Sequence, residues 1–97
     1  MDLIHKSILS NDIDTITKLL QIKENIDKQD NNGNTPLMYA CSRCNINIVS
    51  LLLDHSANPS LKNNNGWNSY MITNYFHLQN ENENYVLILD LLTNNVN

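Results

Sequence analysis

Asp30-Asn31-Asn32-Gly33-Asn34-Thr35-Pro36-Leu37 decides how the rest of the chain reads. Polar turn formers surround one glycine, the residue that reaches positive φ without steric cost. A tight turn is therefore expected at Gly33. Thr35 then offers a side-chain oxygen as an N-cap, and Pro36 has its φ already set for the first helical position. The stretch is a turn followed at once by a helix start. The arrangement returns as Asn63-Asn64-Asn65-Gly66-Trp67, with Asn68 as the cap and Ser69 behind it. Gly33 and Gly66 are the only 2 glycines in the chain, and their numbers differ by 33.

Working outward from Leu37, two short helices follow each turn. Leu37, Ala40 and Cys41 recur at helical spacing, a break falls at Arg43-Cys44-Asn45, and Ile46, Val49, Leu52 and Leu53 form a second apolar stripe. Ala57-Asn58-Pro59 is expected to end that helix. One repeat earlier, Ile4 falls under Leu37 and Ser7 under Ala40. Ile13, Ile16, Leu19 and Leu20 fall under the second stripe. One repeat later the pattern loosens. A first helix over 68–76, a polar insertion near 77–84 and a second helix over 85–93 burying Ile88, Leu89, Leu91 and Leu92 are expected. The polar end from Asn94 is expected to fray. No such unit buries its apolar face alone, whereas stacked units share one core.

Asp30-x-x-Gly33-x-Thr35-Pro36-Leu37-x-x-Ala40, then Ile48-Val49-x-Leu51-Leu52-Leu53 and Ala57-Asn58, resembles the ankyrin repeat family. The resemblance implies an all-α solenoid of stacked helix-turn-helix units with hairpin-like turns. It reads as one domain over 1–97: an N-terminal capping repeat 1–29, a full repeat 30–62 and an irregular C-terminal capping repeat 63–97. Departures are specific. Met38 replaces the family's histidine, while His5 holds that place in the first unit, with Asp2 expected to bond to it as an N-cap. The family's helix-joining glycine is Asn11, Cys44 and His77. Cys and His tolerate left-handed geometry less well than Asn, so differently shaped joints are expected there.

Composition excludes several functions. The formal net charge is -4, and the 6 basic residues are scattered singly. A nucleic-acid binder clusters them to neutralise phosphates, so no nucleic acid is expected. No apolar run is long enough to span a bilayer and no targeting stretch opens the chain, so no membrane association is expected. The location expected is intracellular and cytoplasmic, of the chain's own cell or of a host cell. Asparagine makes up roughly one residue in five, well above ordinary usage. It favours turns and caps.

No catalytic constellation emerges. Cys41 and Cys44 form a C-x-x-C, but at the C-terminal end of a helix, where the dipole raises a thiol pKa instead of lowering it. A metal site would need His5, His55 or His77, which lie in three different units, so no metal and no cofactor is expected. The two cysteines read as a buried small side chain and a loop thiol.

The resemblance implies a non-catalytic module that binds another protein through the hairpin tips and inner helices of its concave face. A small adaptor or a pathogen factor engaging a host protein fits that role. Carried over by position, the binding residues are Asn31, Asn32, Asn34, Asn64, Asn65 and Trp67 on the tips, with Lys62 at the base of the second. Ser42, Arg43, Tyr75 and Phe76 follow on the inner helices. Trp67, Arg43 and Tyr75 are expected to form one anchor, since these residue types dominate binding hot spots. Trp67 packing against Phe76 or the neighbouring unit is the competing reading. Self-association through exposed repeat ends, giving a homodimer, is the alternative function.

Overall fold

Thr35 caps as expected, and the detail explains Met38. In the computed structural model, which describes residues 2–94, Thr35 Oγ1 accepts from the Met38 N–H at 3.2 Å. The Thr35 N–H in turn donates to Met38 Sδ at 3.3 Å. The methionine sulfur thus closes a reciprocal capping box in which Glu or Gln is usual. Asn45 and Asn68 cap without the reciprocal bond, their side chains accepting from the N–H groups of Ile48 and Met71.

Seven helices follow from these starts among the described residues. They are α1 (Leu3–Leu9), α2 (Ile13–Leu19), α3 (Lys23–Ile26), α4 (Pro36–Ser42), α5 (Ile46–Asp54), α6 (Ser69–Gln79) and α7 (Asn84–Asn94). α1, α4 and α6 form an inner row, each packed on the next. α2, α5 and α7 pack behind α1, α4 and α6 respectively, and α5 packs on α7. Ile4, Ile16, Leu37, Ile48, Val49, Leu52, Ile88 and Leu92 fill one core between the rows. The polar end expected to fray begins at Asn94, the last residue of α7; residues 95–97 lie outside the described residues.

The joints correct one expectation. Asn11 and Cys44 both sit at φ 57. Each is followed by an N–H that reaches five residues back, Asp12 to the Ser7 carbonyl at 2.9 Å and Asn45 to the Ala40 carbonyl at 3.1 Å. This is a Schellman closure, which needs a left-handed residue whatever its side chain. Cys44 therefore makes the same joint as Asn11, not a different one. Asn45 Nδ2 donates to Asn11 Oδ1 at 3.0 Å, joining the two corners. His77 is no joint at all. It lies inside α6, which continues to Gln79, and the connection to α7 passes through residues 80–83.

Other expectations shift by a position or an element. Ile48, not Ile46, is the fully buried residue of the first turn of α5. Ile13 is exposed, and Leu19, Leu89 and Leu91 are only half-buried. α5 ends at Asp54, before Ala57-Asn58-Pro59, because Ser56 turns left-handed at φ 68. The short α3 was not legible, since its four residues lack an apolar period. The bond expected from Asp2 to His5 does not form: His5 Nδ1 and Asp2 Oδ2 are 3.8 Å apart. The buried His5 ring instead donates from Nε2 to the Lys28 carbonyl at 2.8 Å. Its other face meets Tyr39 edge-on at 5.5 Å between centroids.

Candidate functional site

The two hairpin tips are built alike. Asp30 Oδ1 accepts from the N–H groups of Asn32 and Asn34. Asn63 Oδ1 accepts from those of Asn65 and Trp67. Gly33 and Gly66 sit at φ 77 and φ 79 and donate back to Asp30 and Asn63. The tips are also bonded to each other. The Asn64 N–H donates to the Asn32 carbonyl at 3.0 Å, and Asn64 Nδ2 to the Asn31 carbonyl at 2.9 Å. Asn63 Nδ2 donates to Asn34 Oδ1 at 3.0 Å. Gln29 Nε2 bridges the Gly33 and Lys62 carbonyls at 2.8 and 2.9 Å. Asn34 and Asn64 thus serve the stack as well as its rim, while Asn31, Asn32, Asn65 and Lys62 are exposed.

Below the tips, a cavity of about 270 Å³ opens between α4 and α6. It is lined by Asn34, Met38, Tyr39, Ser42, Trp67, Ile72, Tyr75 and Phe76. Three pairs in this lining are repeat equivalents, each 33 apart: Asn34 and Trp67, Tyr39 and Ile72, Ser42 and Tyr75. The walls carry a string of aromatic rings in contact with one another. Trp67 meets Tyr75 edge-on at 5.5 Å, Tyr75 meets Phe76 at 5.3 Å, and Phe76 stacks on Tyr85 at 6.4 Å. Tyr85 fixes this string by donating from its hydroxyl to the Ser42 carbonyl at 3.2 Å. Trp67 is therefore half-buried against Tyr75, not Phe76, with the cavity beside it.

The structure brings Asn34, Ser42, Trp67, Tyr75 and Phe76 together. Arg43 stands apart, lining a separate depression with Cys44, Asn45 and Asn84. It does so because it is the C-cap of α4, one residue beyond the inner face. Met38, Tyr39 and Ile72 were missed. The signal for Tyr39 and Ile72 was the repeat itself, since both occupy one register position, three before Ser42 and Tyr75.

A second, polar cavity of about 230 Å³ adjoins the first across Tyr39, lined also by Asp2, Gln29, Asp30, Asn31 and Asn32. Tyr39 donates its hydroxyl to Asp30 Oδ2. Partial burial works to raise the Asp30 pKa. The hydrogen bonds from Tyr39, Asn34 and Asn32 outweigh it and hold the carboxyl below the usual carboxylate range. Burial and the same bond push the Tyr39 hydroxyl up. Burial also drives the Cys41 thiol up to about 12, against a weaker opposing hydrogen bond with Thr73. Among the described residues, no group of three His, Cys, Asp or Glu is placed to hold a metal ion. No helix there is long and apolar enough to cross a membrane.

Stacked helix pairs, tips bonded to their neighbours and a cleft lined by repeat equivalents define a helical repeat solenoid. The family model for ankyrin repeats in three copies matches residues 4–89, and the chain belongs to that family. Relatives include the ankyrin repeat protein FPV219 of fowlpox virus, 36% identical over 62 residues, or 64% of this chain and 14% of that protein. Ankyrin repeat domain-containing protein 13C-B of Xenopus laevis is 38% identical over 64 residues, 66% of this chain and 12% of that protein. A mouse protein with ankyrin repeat, SAM and basic leucine zipper domains is 42% identical over 55 residues, 57% of this chain and 12% of that protein. The chain therefore spans only 12% to 14% of the length of these relatives. Ankyrin repeats are in general protein–protein interaction modules and are typically non-catalytic.

Proposed function

We propose that the chain binds another protein by seating an apolar side chain of that partner in the cleft between α4 and α6. The observation that carries this reading is the lining: an open apolar cleft walled by Trp67, Tyr75, Phe76 and Tyr39. Trp and Tyr supply large, stiff contact area and are enriched among hot spots. A volume of about 270 Å³ lies just under the roughly 300–1,000 Å³ of small-molecule sites, and suits a side chain better than a cofactor. The exposed tip asparagines then supply a polar rim.

A non-catalytic role belongs to the same proposal. Asp30 and Tyr39 are bonded to each other and shifted away from neutrality in opposite directions. A working acid–base pair is tuned towards neutrality instead. An intracellular adaptor, in the chain's own cell or a host cell, fits two free thiols in a reducing compartment.

The test is co-purification followed by titration of each recovered partner. Trp67→Ala is expected to weaken binding at least tenfold, with helical content kept and stability lowered by about 1–2 kcal/mol. Ser42→Trp, which fills the cleft from α4, is expected to weaken it equally. Partners indifferent to both changes would place binding on another face.

One further observation favours self-association as a second reading. Tyr70 and Met71 follow Leu37 and Met38 by 33, yet are 44% and 42% exposed where the earlier pair is 1% and 2% exposed. α4 is packed on both sides in its row, by α1 and α6. Light-scattering mass over a concentration series separates the readings: a mass that stays monomeric removes the second.

A further inference from the structure

The polar cavity beside the cleft narrows the chemistry of the partner; this step rests on the cleft being the binding site. Both hollows share Tyr39 as a wall, so one extended segment crossing that ring places neighbouring side chains in each. The polar hollow is lined by two carboxylates, Asp2 and Asp30, with no basic side chain in its lining. Asp30 is held ionised by neutral donors, the Asn32 and Asn34 N–H groups and the Tyr39 hydroxyl. Such donors fix a negative charge in place without cancelling it.

Asp2 occupies the N-cap of α1 but makes no side-chain cap bond, so its carboxylate is not consumed by the helix. Lys28 stands 3.9 Å from Asp2 Oδ1, with side chains 47% and 42% exposed. Exposed pairs of this kind contribute about 0–1 kcal/mol and exchange partners readily. Behind Asp2 lies a further unmet group. His5 Nδ1 is fully buried, has no hydrogen-bond partner and approaches Asp2 Oδ2 at 3.8 Å. A fixed carboxylate and a second one not used by its helix together ask for a cationic donor.

We propose that the chain recognises an extended, basic-and-apolar peptide segment. A bulky apolar side chain enters the cleft beside Trp67 and Tyr75. A lysine or arginine a few residues away crosses Tyr39 to lie over Asp2 and Asp30. The chain's formal charge of -4 draws such a segment in.

The experiment is selection of binders from a displayed library of random twelve-residue peptides, followed by titration of the synthetic winners. Trp67-dependent peptides are expected to combine an apolar residue with a nearby Lys or Arg. Their affinity is expected to fall about three- to tenfold with the double variant Asp2→Asn, Asp30→Asn. Replacing the peptide's Lys or Arg by Gln is expected to cost the same factor, with no further loss on the double variant. Asn63 already holds the place of Asp30 in the second tip, so the change preserves the turn's acceptor. If the double variant nonetheless unfolds, affinity of the wild type from low to high salt reads the same charge effect. Trp67-dependent peptides without a basic preference would overturn this inference and leave the cleft standing. Binders indifferent to Trp67→Ala and Ser42→Trp would overturn both.

Discussion

The two hairpin tips share a backbone and differ in what covers them. A Cβ built on Gly33 would lie 2.6 Å from Asn64 Oδ1, 2.8 Å from the Asn64 backbone nitrogen and 3.0 Å from the Asn63 Cα. One built on Gly66 meets nothing within 4 Å. Both glycines are required by positive φ, but only Gly33 is also required by the close approach of the next tip. The same residue at the same repeat position therefore does two jobs in one unit and one in the other. The difference teaches that the first tip is covered and bonded by the second, while the turn of the second stands open. The cleft is tied to that contact, because Asn34 and Trp67 hang from the two bonded tips.

The sharpest way to break this comparison is to substitute both glycines. Gly33→Ala is expected to cost about 3 kcal/mol, combining left-handed strain with displacement of the Asn64 backbone. Gly66→Ala is expected to cost only about 1–2 kcal/mol, the strain alone. Denaturant melts of the two variants measure the gap, and equal losses would mean that the tips do not stack as described.

Next comes the bond between the tips. Asn64→Ala removes the donor to the Asn31 carbonyl and is expected to cost about 1 kcal/mol. Asn65→Ala, on the open side of the same tip, is expected to stay within about 0.5 kcal/mol.

The smallest effect concerns Asp30 and Asn63, which hold equivalent places with different charge. Asp30 has a folded pKa below its ordinary value of 3.8. Its contribution is therefore complete above that value and is lost as pH falls through the folded one. Asp30→Asn is expected to be somewhat less stable than wild type at neutral pH, with a gap that narrows below about pH 4. A gap that widened in acid would contradict the hydrogen-bond pattern at this tip.

How far the fold was legible follows the same division. The 33-residue spacing, the caps Thr35 and Asn68 and the stripe of Val49, Leu52 and Leu53 all followed from local chemistry. Ile13 is exposed and its repeat partner Ile46 is itself only half-buried, while Leu19 is half-buried where Leu52 is buried. His77 failed as a joint. The first helix of the third unit runs on to Gln79 because no left-handed residue stops it. At the candidate site, Trp67, Tyr75 and Phe76 were readable from residue type and position. Tyr39 was missed although the repeat register marks its position: its hydroxyl goes to Asp30 of the same unit, but its ring meets His5 of the preceding unit, a partner that only stacking supplies. Arg43 was misplaced with the anchor, because a single residue past the end of α4 turns away from the inner face.

The central claim is that the cleft between α4 and α6 is preformed for an apolar side chain. Titrating isotopically labelled protein with N-acetyl-leucinamide, read by two-dimensional NMR, tests it most directly. Saturable shifts of the Trp67 indole N–H and of the Met38 and Ile72 methyls are expected, with a dissociation constant in roughly the millimolar range. Saturable shifts on the outer helices α2 and α5, or none at Trp67, would contradict it.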